Sequence, residues 1–264
     1  MGEFCQTQRD GRLLTVTLDR PEVMNALHPP SHVELAQVFD DFAADPALWV
    51  AIVTGAGDRA FSAGNDLKHT AAVQAGESQG EAMALPASGF AGLTSRYDLE
   101  KPIIAAVNGV CMGGGFEIAL ACDLVVASEK AVFALPEPRV GLAALAGGVH
   151  RLPRQIGLKQ AMGMLLTGRR VSAAEGRELG FVNEVVAPED LLPAARRWAE
   201  QIIECSPLSV RATKAASMVG LDALTLEDAC NGRYDAIHRL FKSEDFVEGP
   251  RAFAQKRTPE WKGR

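Results

Sequence analysis

Apolar and polar positions change rhythm several times along this chain, and each rhythm predicts a different element. Near the start Leu14, Val16 and Leu18 alternate with threonines at period two behind the tight-turn pair Asp10-Gly11, so the opening predicts a β-hairpin. A helix follows: Ser31 and Glu34 form a capping box after Pro29-Pro30, and Val33, Leu35, Val38, Phe39 and Phe42 supply its apolar face. Trp49 to Thr54 is a short β-rich run ending in Gly55-Ala56-Gly57, and Pro102 to Val107 is another, stopped by Asn108-Gly109. Both predict buried parallel strands. Between them Ala71 to Gly92 is rich in Ala, Gly, Gln and Ser with weak periodicity, which predicts a mobile surface segment over a pocket.

Farther on, Ser172 with Glu175 makes a second capping box, Gly180 a helix stop, and Phe181 to Val186 a strand. Beyond Pro188 the strand rhythm ends. Segments near 188–204, 207–219, 225–242 and 244–255 read as amphipathic helices, so the chain divides into an α/β body over 1–187 and a helical C-terminal module over 188–264.

Composition narrows the classes. A chain of 264 residues with 47% apolar content buries a full core without staples. A net charge of −6 with interspersed signs gives no basic field for nucleic acid or anionic lipid, which leaves a small molecule as the partner. The odd set Cys5, Cys111, Cys122, Cys205 and Cys230 contains no C-x-x-C pair and suits free thiols in a reducing compartment. The N-terminus lacks an apolar signal core and puts Gln6 where a myristoylation motif wants Ser or Thr, so a cytoplasmic location is expected. The most apolar stretch, Ile103 to Val126, carries Asn108, Glu117 and Asp123, and is read as buried core rather than a membrane span.

Candidate chemistry gathers in the window Asn108 to Glu117, a strand end that runs through Gly113-Gly114-Gly115 into an apolar helix. Glycines admit a ligand to the main chain, and a helix start offers unpaired N–H donors and a partial positive charge, a combination that stabilises an oxyanion. Close helix packing would explain the glycines equally well. Glu117 favours the chemical reading, because it is the only charge between Lys101 and Asp123 on a strongly apolar segment. Glu137 stands between Pro136 and Pro138 on stiff backbone, and two rigidly mounted carboxylates beside an anion hole suffice for paired acid and base work. Phe61 to Lys68 is a second small-residue segment after a buried strand. Its N–H groups near Asn65 are candidate donors, unless Asn65-Asp66 only caps a helix.

Other patterns fail on context. Gly55-Ala56-Gly57-Asp58-Arg59-Ala60 imitates a dinucleotide fingerprint, and Tyr97 with Lys101 imitates an oxidoreductase pair. No apolar helix follows Gly57, however, and Pro102 closes the segment after Lys101. No G-x-S-x-G follows a predicted strand as a serine hydrolase requires, and His28, His32, His69, His150 and His238 are too scattered for a zinc site. Pro29-Pro30 predicts a turn between His28 and His32, which places both on the surface.

The motifs Ala60-Phe61-Ser62-Ala63-Gly64-Asn65-Asp66-Leu67, Lys101-Pro102-Ile103-Ile104-Ala105-Ala106-Val107-Asn108-Gly109, Gly113-Gly114-Gly115-Phe116-Glu117 and Leu135-Pro136-Glu137, in this order, resemble the crotonase, or enoyl-CoA hydratase/isomerase, superfamily over nearly the whole chain. The resemblance implies an α/β crotonase-like (ClpP/crotonase) fold, with repeated ββα units around a twisted sheet core. It also implies a helical C-terminal module that builds a homotrimer, or a hexamer from two trimers. It makes Glu117 and Glu137 the catalytic acid and base, and the N–H groups of Asn65 and Gly114 the oxyanion hole. The acyl-CoA thioester would run past Ala63, Asn65, Asp66, Leu67 and Lys68 and along Gly113, with Phe253 and Lys256 of a neighbouring subunit toward the CoA phosphates. No metal or separate cofactor is implied, because coenzyme A is part of the substrate.

Retention of both acids points to reversible hydration of a trans-2-enoyl-CoA. Isomerase or non-catalytic acyl-CoA-binding relatives are the alternatives. Within the superfamily the Gly89 to Thr94 and Phe133 to Glu137 segments and the chain's ending are most similar to carnitinyl-CoA dehydratases. One departure is Ala144-Leu145, where relatives usually have Pro and then Gly or Asp, and Leu145 is expected to make the acyl pocket drier or narrower.

Overall fold

The β-rich runs become ten strands among the described residues, 2–78 and 83–264, of a computed structural model. Met1 and residues 79–82 lie outside them, the latter within the segment expected to move over a pocket. In chain order the strands are β1 (Cys5–Asp10), β2 (Leu13–Leu18), β3 (Val50–Gly55), β4 (Ala60–Ser62), β5 (Ile103–Val107), β6 (Val110–Met112), β7 (Leu124–Ser128), β8 (Val132–Ala134), β9 (Val171–Ser172) and β10 (Glu184–Val186). The helices are α1 (Pro29–Ala44), α2 (Leu67–Gln74), α3 (Gly114–Ala121), α4 (Gly148–Ile156), α5 (Leu158–Thr167), α6 (Ala173–Leu179), α7 (Leu191–Ile203), α8 (Pro207–Gly220), α9 (Leu226–Asn231), α10 (Asp235–Phe241) and α11 (Glu244–Ala254).

Strands β1, β2, β3, β5, β7 and β10 form one sheet in that order, parallel except for the β1–β2 hairpin. Asp10 pairs with Leu13 across the predicted turn, where Gly11 has φ 55°, a left-handed bend that a side chain resists. Every residue of β3 and β5 is buried because both faces of the sheet are covered. Val50, Ile52, Ile104 and Ala106 meet α7 through Leu191, Ala194, Ala195 and Ala199. Ala51, Val53, Ala105 and Val107 turn the other way, into the main core with Phe39, Phe42, Phe116 and Phe133.

Strands β4, β6, β8 and β9 make a second sheet in that order, with β4, β6 and β8 parallel and β9 antiparallel at the edge. Parallel strands share a direction, so the C-terminal ends of β4, β6 and β8 open on one edge. There the chain leaves β4 for Ala63–Asn65, β6 for the glycine triplet, and β8 for Leu135–Glu137.

Several expectations shift. Helix α1 starts at Pro29 with His28 as N-cap, whose N–H donates to Ser31 Oγ at 2.8 Å. Proline suits the first helical turn, so Pro29-Pro30 opens the helix instead of making a turn. His32 therefore falls on the inner face, 1% exposed, and His28 is half-buried. Glu34 does not complete a box with Ser31. It reaches β1 and accepts from the N–H groups of Glu3, Phe4 and Cys5 at 2.9, 3.0 and 2.8 Å. Val33 is exposed.

The cap at α6 is as predicted on its N-terminal side, Glu175 N–H donating to Ser172 Oγ at 3.2 Å, and Gly180 ends the helix with φ 99°. The strand after it shortens to β10, and Phe181 and Val182 pack into the core. The stretch 225–242 divides into α9 and α10, and α4 and α5 answer to no element predicted from the sequence. In the helical tail α7 packs on the large sheet, while α8 to α11 expose Leu224, Leu226, Phe241, Val247 and Phe253.

Candidate active site

Two main-chain amides meet where β4 and β6 end. Gly113 N–H donates to Ala134 O at 2.9 Å, which keeps the end of β6 in register with β8, and its φ of 55° then turns the chain into α3. Gly114 is the first residue of α3, so its N–H has no helical acceptor, and it has no other protein acceptor among the described residues. On the β4 side, Leu27 N–H donates to Gly64 O at 2.8 Å and Asp66 N–H donates to Leu27 O at 2.8 Å. That bridge uses the groups flanking Asn65, so the N–H of Asn65 itself points the opposite way, toward the cleft it lines. Gly64 has φ 91°, and a Cβ there would stand 2.7 Å from Met112 O and 2.8 Å from Gly114 N. Glycine alone lets the two loops touch.

The carboxylates come off the same edge. Glu117, on the first turn of α3, is 3% exposed, and its Oε1 accepts the Gly148 N–H at 2.9 Å. Burial pushes its pKa up to about 7, the charge of Glu137 adds to the rise, and the N–H groups of Gly148 and Ala146 and the charge of Arg151 oppose it. Glu137 opens a single 3-10 turn, Glu137–Val140, between its two prolines. A Cβ on Gly113 would lie 3.2 Å from Glu137 Oε1, which places this carboxylate over the glycine loop. Its Oε2 is buried with no hydrogen-bond partner among the described residues, and burial raises its pKa as well.

Both acids open on a cleft of about 300 Å³. Ala63, Asn65, Leu67, Gly113, Gly114 and Leu145 line it with them. Glu117 and Glu137 are the only charged side chains in its wall among the described residues. Leu145 sits at the rim, 77% exposed, and Ala144 is buried beneath it.

The remaining predicted site residues lie elsewhere. Asp66 caps α2 by accepting the His69 N–H at 3.1 Å and pairs with Arg20 at 3.1 Å, and Lys68 is exposed outside the cleft wall. Phe253 and Lys256, at the end of α11, do not line the cleft of their own chain.

Residues that sequence reasoning passed over complete the wall. Met83, Leu85, Gly89 and Phe90 line one side, so the described part of the segment Ala71 to Gly92 does border a pocket. The Phe90 ring lies so close to Gly114 that a Cβ there would be 2.5 Å from its Cε1 and Cζ atoms. Ala91 has φ 54°, rare for a residue with a side chain, and its N–H donates to His32 Nδ1 at 3.1 Å, while the His32 and Phe90 rings stand 4.4 Å apart. The motif around Phe90 was visible; its partner His32, 59 residues from Ala91, was not.

The rival patterns come apart. Gly55 to Ala60 only links β3 to β4, Tyr97 is 84% exposed, and Lys101 Nζ is bound to the carbonyls of Phe42 and Asp45, both at 2.6 Å. Among the described residues no group of three or more His, Cys, Asp or Glu side chains is arranged to hold a metal.

Comparison with known proteins gives the family. Residues 8–264 match the enoyl-CoA hydratase/isomerase family. The chain is 44% identical to the carnitinyl-CoA dehydratase of Proteus mirabilis (strain HI4320) and 42% identical to that of Escherichia coli (strain K12), over the full length of both partners in each case. Crystal structures of enoyl-CoA hydratases from Mycobacterium tuberculosis H37Rv and Bacillus anthracis superpose with TM-scores of 0.91 and 0.89 at 36% and 32% identity. They cover 100% and 99% of this chain, and 100% of each of theirs. With the crotonase fold, the paired acids and a full-length match together, the chain belongs to the enoyl-CoA hydratase/isomerase family.

Proposed function

We propose that this hydratase-type lyase catalyses the reversible syn addition of water across the double bond of a trans-2-enoyl-CoA thioester. The observation that carries the reading is the convergence of two unpaired amides, the buried Glu117 and the half-buried Glu137 on one cleft. Burial raises both carboxyls, and the two titrate as a coupled pair. Glu117, anchored by Gly148, takes a proton from water as the oxygen adds to Cβ. The electron pair moves onto the thioester oxygen, where the Asn65 and Gly114 N–H groups receive it. Glu137, with its free Oε2, delivers a proton to Cα, and proton exchange between the acids resets the pair. In this reading both acids act from one face of the acyl plane, which makes the addition syn.

Within this reading the chemistry needs neither metal nor redox cofactor. The partner is an acyl-CoA thioester, Lys68, Phe253 and Lys256 serve its CoA moiety, and the exposed apolar face of the tail assembles a homotrimer or a hexamer of trimers in the cytoplasm. Among the described residues no helix is long and apolar enough to cross a membrane. A second reading, dehydration of a carnitinyl-CoA, is favoured by full-length identity of 42–44% to carnitinyl-CoA dehydratases. A panel of enoyl-CoA thioesters including crotonobetainyl-CoA, followed by loss of the conjugated thioester absorbance, separates the two. Glu137→Gln should abolish turnover and spare thioester binding. Unchanged turnover would overturn the assignment.

A further inference from the structure

We propose that Arg151 is the positioning residue of Glu117: its guanidinium ties the two walls of the cleft together and holds a positive charge beside the acid pair. The inference rests on hydration as the reaction of this site.

Arg151 lies on the first turn of α4, three residues after Gly148, whose N–H grips Glu117. Its Nη2 donates to Thr94 O at 2.8 Å and its Nη1 to Ala146 O at 3.4 Å. Ala146 belongs to the rim that leads into α4. Thr94 belongs to the opposite wall, where its Oγ1 accepts the Phe90 N–H at 2.9 Å. One planar fork therefore joins the segment that holds the base to the segment that braces Gly114. The seat is shaped for it: Gly147 has φ 114°, and a Cβ there would fall 2.0 Å from Arg151 Nη1.

Both partners of the fork are carbonyls, so no carboxylate in contact cancels the charge. The groups that act on Glu117 come from three directions: Glu137 from the turn after β8, the Ala146 and Gly148 N–H groups from the entry to α4, and Arg151 from α4 itself. Burial and Glu137 drive Glu117 toward its protonated form, in which it cannot accept a proton from water. Arg151 favours the carboxylate and keeps the base available near neutral pH.

The test is the pH profile of kcat/KM for crotonyl-CoA hydration. In Arg151→Met the acid limb should move up by about one pH unit, with a fall of about fivefold in rate at pH 7. Arg151→Lys should leave the limb in place and lower kcat/KM, because an ammonium supplies the charge without the fork. Folded Arg151→Met with an unmoved limb overturns the proposal, and if that variant does not fold, Arg151→Gln carries the same test. The Glu117 carboxyl band, followed by infrared difference spectroscopy against pH without substrate, reads the shift independently of turnover. A moved band in an enzyme that hydrates nothing would sink the assigned reaction and leave Arg151 its role. An unmoved band in an active enzyme would do the reverse.

Discussion

Gly114→Ala tests the oxyanion hole at its tightest point. The new Cβ would sit 2.5 Å from two carbons of the Phe90 ring, whereas non-bonded carbons settle at about 3.5–4.0 Å, so something must give by about 1 Å. The ring is the less yielding partner. Phe90 N–H is bound to Thr94 Oγ1, Ala91 N–H is bound to His32, and the ring itself lies against the His32 imidazole. The displacement therefore falls largely on the Gly113–Gly114 loop and on the N–H proposed to receive the thioester oxygen. A misplacement of about 1 Å at reacting atoms costs about 10²-fold, or about 2.7 kcal/mol, at the low end of what loss of one oxyanion donor costs. Saturating crotonyl-CoA followed by thioester absorbance should show kcat lowered by about that factor, with thioester affinity nearly unchanged. Adding Phe90→Ala to Gly114→Ala makes room and should restore about tenfold of the loss. The argument is refuted if Gly114→Ala alone retains the rate within about threefold, or if affinity falls in step with kcat.

Three further outcomes follow from the described contacts. Glu117 has its folded pKa raised from 4.5 to about 7, so the native state binds the extra proton and stability falls as pH rises through that window. Between pH 5 and 8 the unfolding free energy of Glu117→Gln should gain about 3 kcal/mol on that of the natural sequence, measured by urea titration at each pH; parallel curves would contradict the buried acid. His32→Leu leaves the Ala91 N–H buried without an acceptor and should cost about 1–3 kcal/mol of stability and lower kcat. His32→Asn, which restores an acceptor, should recover both, as thermal melts and initial rates would show. Glu34→Ala frees three amides at the start of β1 and should cost about 1–2 kcal/mol in denaturant melts while kcat stays constant.

Much of this site could be read before any coordinates. Gly113–Gly114, Glu117, Glu137 and Asn65 stand out because each pairs an unusual residue with an unusual setting: glycines at a strand end, one charge in an apolar run, a glutamate between prolines. All five line one cleft. Periodicity also located β3 and β5, whose continuous burial leaves no other rhythm to confuse it.

What escaped depends on contacts between distant segments. Proline suits a first helical turn, but nothing local in Pro29-Pro30-Ser31-His32 announces that His32 will face inward against Phe90. Helix α4 starts at Gly148 behind a glycine cap and contains Pro153, so its propensity is poor; it forms around contacts such as the Gly148 N–H to Glu117 and the Arg151 fork. Asp66 looked like a site residue because of its position in a motif, but its charge is spent on a helix cap and Arg20.

The common edge of β4, β6 and β8 has a consequence for how the molecule can change. Adjacent strands are held about 4.8 Å apart by their ladder, so the strand ends that carry the two amides and the two acids take their spacing from backbone pairing, and the glycines after them let the loops close on it. The rest of the cleft wall, residues 83–95 and 140–146, hangs from other parts of the chain. Proton chemistry and acyl recognition are thus mounted separately. Exchanging Val140, Leu142 and Leu145 for side chains of other shape can retune which acyl group enters while the geometry that handles its protons stays where the sheet put it.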